Sequence, residues 1–345
     1  MKSPKERGFF MPAEWHPHRR CWMAWPTFEP AYNGRFQATK VVHSNVARAI
    51  ARFEPVTVIA NESDVAEART FCGPGIEVRA APIDEGWFRD SGPTFVVGGE
   101  KGGAGIAGID WEFNGWGGRA PSEKDGKIAS IVLAQEGVER IRAPFVLEGG
   151  SIHVDGEGTL LTTEECLLNR NRNPHLGKAE VERNLRDFLG VEKIIWLKGG
   201  PVDDVTDGHV DMVAAFASPG RVLCLHGTDP SNVDYETLQA NREILRGERD
   251  ARGRRFEVID IPQAPAFYID RTGGRLGLSH VNFYMANGGI VLPWYGEADL
   301  DERVGGIFRE VFPDREIVSV ATRDLLYGGG NIHCITQQEP VAAFL

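Results

Sequence analysis

Glu148-Gly149-Gly150-Ser151-Ile152-His153-Val154-Asp155-Gly156-Glu157-Gly158 packs a glycine turn, a short apolar run and a hairpin turn into one stretch. The same cadence recurs along the chain. It is found at Asp90-Ser91-Gly92-Pro93-Thr94-Phe95-Val96-Val97 and at Asp207-Gly208-His209-Val210-Asp211-Met212-Val213. It returns at Leu278-Ser279-His280-Val281-Asn282-Phe283-Tyr284 and at Gly329-Gly330-Asn331-Ile332-His333-Cys334-Ile335-Thr336. Gly92, Gly150, Gly208, Ser279 and Gly330 are thus spaced by 58, 58, 71 and 51 residues. The closing turns at Asp155-Gly156-Glu157-Gly158, Ser218-Pro219-Gly220 and Asn287-Gly288-Gly289 carry hairpin chemistry, because glycine and asparagine accept the positive φ such turns need.

Between anchors the apolar period lengthens to that of a helix. Ile128, Ile131, Val132 and Val138, with Ser122 as expected N-cap, mark one helix. Val181, Leu185, Phe188 and Leu189 mark the next, and Leu238, Ile244 and Leu245 a third. Leu300, Val304, Ile307, Phe308, Val311 and Phe312 mark a fourth. Each is followed by a β-like run: Ile141 to Leu147, Lys193 to Leu197, Phe256 to Ile261, and Glu316 to Val320. The N-terminal part reads as a helix through Phe36, Val41, Val42, Val46, Ala49 and Ile50, then a strand Val56 to Ala60, a short helix from Ser63 to Phe71 and a strand Ile76 to Ala80. It supplies what the last hairpin lacks. The expectation is about five ββαβ units, and no linker divides 1–345, so one domain. A single unit cannot bury its own apolar face, so such repeats stack or close.

The chain of 345 residues carries 38 basic and 49 acidic residues, a net charge of −11. No basic face emerges, which argues against nucleic acid as a partner. No apolar run is long enough for a membrane span. The five cysteines, Cys21, Cys72, Cys166, Cys224 and Cys334, are scattered with no C-x-x-C. That spacing reads as a reducing, cytoplasmic setting without disulfides or structural zinc.

Equivalent points of the repeat carry Asp90, Glu148, His209 with Asp211, and Cys334. If the units surround a common axis, these gather carboxylates, an imidazole and a thiol. His209 and Asp211 lie two apart in what reads as a strand, and therefore on one face. Cys334 after Gly328-Gly329-Gly330 is a candidate nucleophile, since glycines let a backbone approach a ligand closely. Adjacent His333 is expected on the opposite face, and the other four cysteines read as small buried residues. Asp90 beside Trp87 suits a flat cation, through charge-assisted hydrogen bonds and ring stacking. H-E-x-x-H, phosphate-loop and dinucleotide motifs are missing.

Taken with Met11-Pro12-Ala13-Glu14-Trp15, Trp22-Met23-Ala24-Trp25-Pro26, Trp87-Phe88-Arg89-Asp90-Ser91-Gly92-Pro93, Thr162-Thr163-Glu164-Glu165-Cys166-Leu167-Leu168-Asn169-Arg170-Asn171-Arg172-Asn173-Pro174 and Gly328-Gly329-Gly330-Asn331-Ile332-His333-Cys334-Ile335-Thr336-Gln337-Gln338, the sequence resembles the agmatine deiminase family of guanidino-modifying enzymes. The resemblance implies a five-bladed α/β propeller. It also implies hydrolysis of agmatine to N-carbamoylputrescine and ammonia, a step of putrescine and polyamine biosynthesis, with no metal or organic cofactor. On that resemblance Cys334 is the nucleophile of a covalent thiouronium intermediate, His209 the acid and then the base, and Glu148 its orienting carboxylate. Asp90 and Asp211 grip the guanidinium, and Trp87 packs on the substrate. A homodimer is a family expectation. Asp203 and Asp204 are candidates for the distal amine. The related peptidylarginine deiminases share part of the motif set, so arginine side chains are the alternative substrate. A non-catalytic guanidino- or polyamine-binding protein is the reading from another class.

Overall fold

The computed structural model describes residues 2–99, 105–202, 204–264 and 277–342, and the backbone alone at 268–269 and 275–276. Asp203 lies outside the described residues. Within them a single motif recurs five times: two antiparallel strands, a helix, and a third strand parallel to the second. Thr94–Gly98 pairs antiparallel with Gly105–Glu112, which runs parallel to Glu139–Val146 after the helix Asp125–Glu136. His153–Val154, Thr159–Thr163 and Lys193–Leu197 repeat this around the helix Lys178–Leu189. Ala214–Ser218, Arg221–His226 and Glu257–Pro262 do so around Tyr235–Gly247. Tyr284–Ala286, Gly289–Trp294 and Glu316–Ala321 do so around Ala298–Val311.

The fifth motif joins the two ends of the chain. Thr336–Pro340 pairs antiparallel with His18–Ala24, which is parallel to Val56–Ala60 across the helix Phe36–Ile50. The short helix Val65–Cys72 and the strand Glu77–Ala80 extend that sheet. Phe9–Phe10 adds an edge to the first sheet. The architecture is mixed α/β. A short ribbon, Tyr268–Ile269 with Arg275–Leu276, stands apart from the motif.

Each helix lays an apolar face on its sheet. Val181, Leu185 and Leu189 are buried with Leu160 and Phe145, and Val304 and Phe308 with Phe283 and Ile290. Burial of side chains this size is worth roughly 1.5–3 kcal/mol each.

Two local expectations differ from what is observed. Ser122 does not cap the first of these helices; its carbonyl accepts from Gly126 one turn earlier. Val138 lies beyond the helix, which Gly137 ends at a φ of 65°. More important, the run from His209 to Asp211 is not a strand. Asp90 sits in the short helix Phe88–Ser91, and Gly149–Ser151, Val210–Met212 and Leu326–Gly328 are single 3-10 turns. In each motif the first strand begins only after the turn. Asp207 and Gly208 show why at the third anchor: their φ values of 62° and 76° are left-handed and incompatible with an extended chain.

Candidate active site

Because the anchors are tight turns, each delivers a polar side chain inward in place of alternating faces. His209 precedes the turn Val210–Met212 and Asp211 lies within it, so their shared direction comes from a turn and not from a strand. Asp90, Glu148, His209, Asp211 and Cys334 are all brought together, and all are buried. His209 Nε2 lies 3.6 Å from Glu148 Oε2, and its Nδ1 lies 3.8 Å from Asp90 Oδ1. These separations are charge–charge contacts longer than hydrogen bonds, and neither ring nitrogen has a hydrogen-bond partner among the described residues. The Cys334 sulfur lies 3.6 Å from Asp211 Oδ2. Asp90 Oδ1 accepts from the Gly150 N–H at 2.9 Å and Oδ2 from Trp116 Nε1 at 2.8 Å.

The glycines of the anchors are required by this crowding. A Cβ on Gly150 would stand 2.6 Å from His209 Nδ1, 2.9 Å from Asp211 Oδ2 and 3.0 Å from Asp90 Oδ1. A Cβ on Gly330 would stand 2.7 Å from the Trp87 ring and 3.1 Å from the Cys334 sulfur.

Charge follows the geometry. Burial raises the Cys334 thiol well above its ordinary value, and Asp211 and Asp90 raise it further. Burial raises Asp90 too, with Asp211 and Glu148 adding to it against His209 and Trp116. Burial would lower His209, yet Asp90, Cys166 and Glu148 hold it well above the usual imidazole value. Burial would raise Glu148, but the facing His209 and the Arg172 charge bring it below the carboxylate norm. Arg172 donates its Nε to Glu148 Oε1 at 2.7 Å and its Nη1 to Asp207 Oδ2 at 2.5 Å.

A cavity of about 370 Å³ reaches Asp90 and Cys334 of this group. Trp87, Asp90, Trp116 and Cys334 form its inner wall, and Asp204 lines it as well. Asp204, however, is held by Thr206 N–H, Thr206 Oγ1 and Gly208 N–H at 3.1, 2.7 and 3.0 Å, so it serves the loop.

Several residues were not singled out from the sequence. The carboxamide of Asn282 stands against the Cys334 sulfur, Nδ2 at 3.2 Å, while its Oδ1 accepts from the His333 N–H at 3.0 Å. His333 is not turned away, as strand alternation implied. Residues 332–335 form a turn, and the ring bridges Asp211 Oδ2 at 2.8 Å and Glu14 Oε1 at 2.7 Å. Cys166 is not a bystander either, since its sulfur lies 3.8 Å from Glu148 Oε2. Glu14 and Arg172 stood inside quoted motifs, where their residue types carried the only available signal, and Trp116 stood outside all of them. Two buried trios, Glu14–His153–His333 and Glu148–Cys166–His209, bring ligand-type atoms within 4.8 Å of one another and could hold a metal ion.

A buried thiol, an imidazole and three carboxylates at the turns of a recurring α/β motif define the class as an amidine-directed C–N hydrolase. The chain belongs to the Porphyromonas-type peptidyl-arginine deiminase family, whose model matches residues 10–340. It is 45% identical over 361 residues to the agmatine deiminase of Pseudomonas aeruginosa, covering 98% of this chain and 97% of the relative. The solved agmatine deiminase of Enterococcus faecalis superposes with a TM-score of 0.95 at 36% identity, covering 99% of both chains. A cysteine-to-serine variant of the C. jejuni agmatine deiminase, solved with substrate bound, superposes with a TM-score of 0.86 at 27% identity and covers 96% of each. No helix among the described residues is long and apolar enough to cross a membrane.

Proposed function

We propose that this chain is an agmatine deiminase that releases ammonia from the guanidinium of agmatine and leaves N-carbamoylputrescine. The observation that carries this is the Cys334 sulfur at one end of a small cavity, with Asp211 3.6 Å away and Asp90 in the same wall. A guanidinium is a weak electrophile because its charge is delocalised. Two carboxylates that grip its nitrogens fix the carbon over the sulfur, and such positioning removes several kcal/mol from the barrier.

In the resting site the carboxylates oppose the thiolate. An entering cation reverses that local field, so substrate binding favours ionisation of Cys334. The thiolate attacks the guanidinium carbon and gives a neutral tetrahedral adduct. The His209 imidazolium donates its proton to one amino group, ammonia leaves, and a thiouronium remains on Cys334. Neutral His209 then takes a proton from the attacking water. The second adduct expels the thiolate, and the ureido product loses its extra proton to solvent. Glu148 holds His209 in place and balances its charge, and Trp87 packs on the substrate. The Asn282 carboxamide steadies the sulfur.

The remaining elements of the reading are a five-bladed propeller formed by the five motifs, one catalytic domain over 1–345, a homodimer and a cytoplasmic setting. Similarity to relatives named for agmatine supports the substrate over peptidyl arginine, as does the limited cavity. The mechanism is tested by acid-quenching the protein during turnover of agmatine and measuring its intact mass. A thiouronium adduct that maps to Cys334 is expected. Turnover with no adduct under any quench, and with full activity in Cys334→Ser, contradicts it.

A further inference from the structure

The cavity has a second polar end. Its wall is largely apolar, with Phe28, Ala31, Val205 and Met212 among the lining residues. Among these stands Glu85, which is buried yet lines the cavity. Its Oε2 accepts from Trp87 Nε1 at 2.9 Å, and it forms no ion pair with a described residue. Arg119, the cation on the same wall, is engaged by both oxygens of Asp207 at 2.7 Å. Beside Glu85, the Tyr32 hydroxyl is buried without a hydrogen-bond partner among the described residues, and the Tyr32 ring stacks on Trp87 with centroids 6.3 Å apart. A buried carboxylate without a cation is costly, and burial accordingly raises the Glu85 carboxyl to about 7.

Trp87 measures the distance between the two ends. Its Nε1 edge touches Glu85, and its Cζ3 edge lies 2.7 Å from where a Gly330 Cβ would stand, a point 3.1 Å from the Cys334 sulfur. An indole ring with a contact at each edge is comparable to the roughly 7–8 Å that six extended bonds span from guanidinium carbon to terminal amine nitrogen.

We propose that Glu85 receives the distal primary ammonium of the substrate, and so distinguishes an aminoalkyl guanidine from arginine or a peptide, whose far end carries a carboxylate or an amide. This rests on the deiminase reading above. It also moves the amine end away from Asp204, whose oxygens are committed to its own loop.

The test compares agmatine with n-butylguanidine, which has the same four-carbon chain and hydrogen in place of the amine, in the unmodified protein and in Glu85→Gln. Glutamine keeps an acceptor for the Trp87 N–H. Loss of the charge-assisted contact should lower kcat/KM for agmatine by ~10- to 100-fold, mostly through KM, while n-butylguanidine should change by less than about threefold. Glu85→Asp, which withdraws the carboxylate by one methylene, should shift preference toward the homologue of agmatine that is one methylene longer. It gives a second reading should the glutamine variant fail to fold. An agmatine advantage over n-butylguanidine that is the same in all three proteins overturns the assignment. Absence of turnover of either guanidine by the unmodified protein would instead remove the deiminase reading.

Discussion

His333 Nδ1 lies 2.8 Å from Asp211 Oδ2, the same oxygen that stands 3.6 Å from the Cys334 sulfur. On its other side the imidazole meets Glu14 Oε1 at 2.7 Å. Burial and Arg89 would lower His333, but Glu14 and Asp211 raise it above the ordinary imidazole value. An imidazolium clamped between two carboxylates fixes Asp211 and leaves its Oδ1, buried and without a hydrogen-bond partner among the described residues, for a guanidinium. Replacing His333 by glutamine should therefore raise KM for agmatine by ~10-fold or more with a smaller loss in kcat, because binding is loosened before chemistry is. Steady-state kinetics decide it, and a loss confined to kcat would contradict this role.

Glu148→Gln should lower kcat by ~10²–10⁴-fold, the range for a disturbed general acid–base partner. It should also move the alkaline limb of the kcat profile to lower pH. In the proposed mechanism His209 acts first as an acid, so activity should last up to its raised value and fall above it. Removing one of the carboxylates that raise it lets the imidazolium deprotonate earlier. A limb that stays in place or moves up would contradict the pairing.

Gly150→Ala tests the crowding at the second anchor. The new methyl would lie 2.6 Å from His209 Nδ1 and must displace the ring or the turn. Activity should fall at least ~10²-fold, since a misplacement of about 1 Å costs that much. Wild-type rates in a folded Gly150→Ala protein would show that the turn is not held against the histidine.

Asp207 links this site to pH stability. Burial alone would raise it, but Arg119, Asn171 and Arg172 lower it to about 2. A carboxylate with a depressed folded value stabilises the fold above its unfolded value near ~3.9, and that contribution is lost as pH falls toward the folded value. Asp207→Asn should therefore lower Tm at neutral pH, and the gap to wild type should close between about pH 4 and pH 2. Thermal melts across that range check it. A gap that widens as the pH falls would contradict the sign.

The periodicity of the chain revealed the motif because local signals set it. Lys193–Leu197 and Val56–Ala60 begin and end where their apolar runs do. That the two ends complete one motif was legible as a missing piece at one end and a spare one at the other, but the strand His18–Ala24, which pairs with Thr336–Pro340, was not itself read. The site was legible as a set of residue types at equivalent anchors, but not as geometry. Strand alternation placed His209 and Asp211 together for the wrong reason and sent His333 to the wrong side, because the 3-10 turn Val210–Met212 and the turn at 332–335 override alternation. Arg172, Glu14 and Asn282 escaped because their partners are set by tertiary contact. Glu14 meets His333 across 319 residues of chain, and Asn282 meets Cys334 across 52. Both lie in stretches singled out from the sequence, but nothing local marks their partners.

The most direct measurement is release of ammonia and ureido product from the purified protein, with agmatine, arginine and a blocked arginyl peptide side by side and Cys334→Ser as control. Turnover of agmatine alone, lost in the serine variant, is the predicted result. Turnover of the peptide in preference to agmatine, or agmatine turnover that survives in Cys334→Ser, would contradict the account.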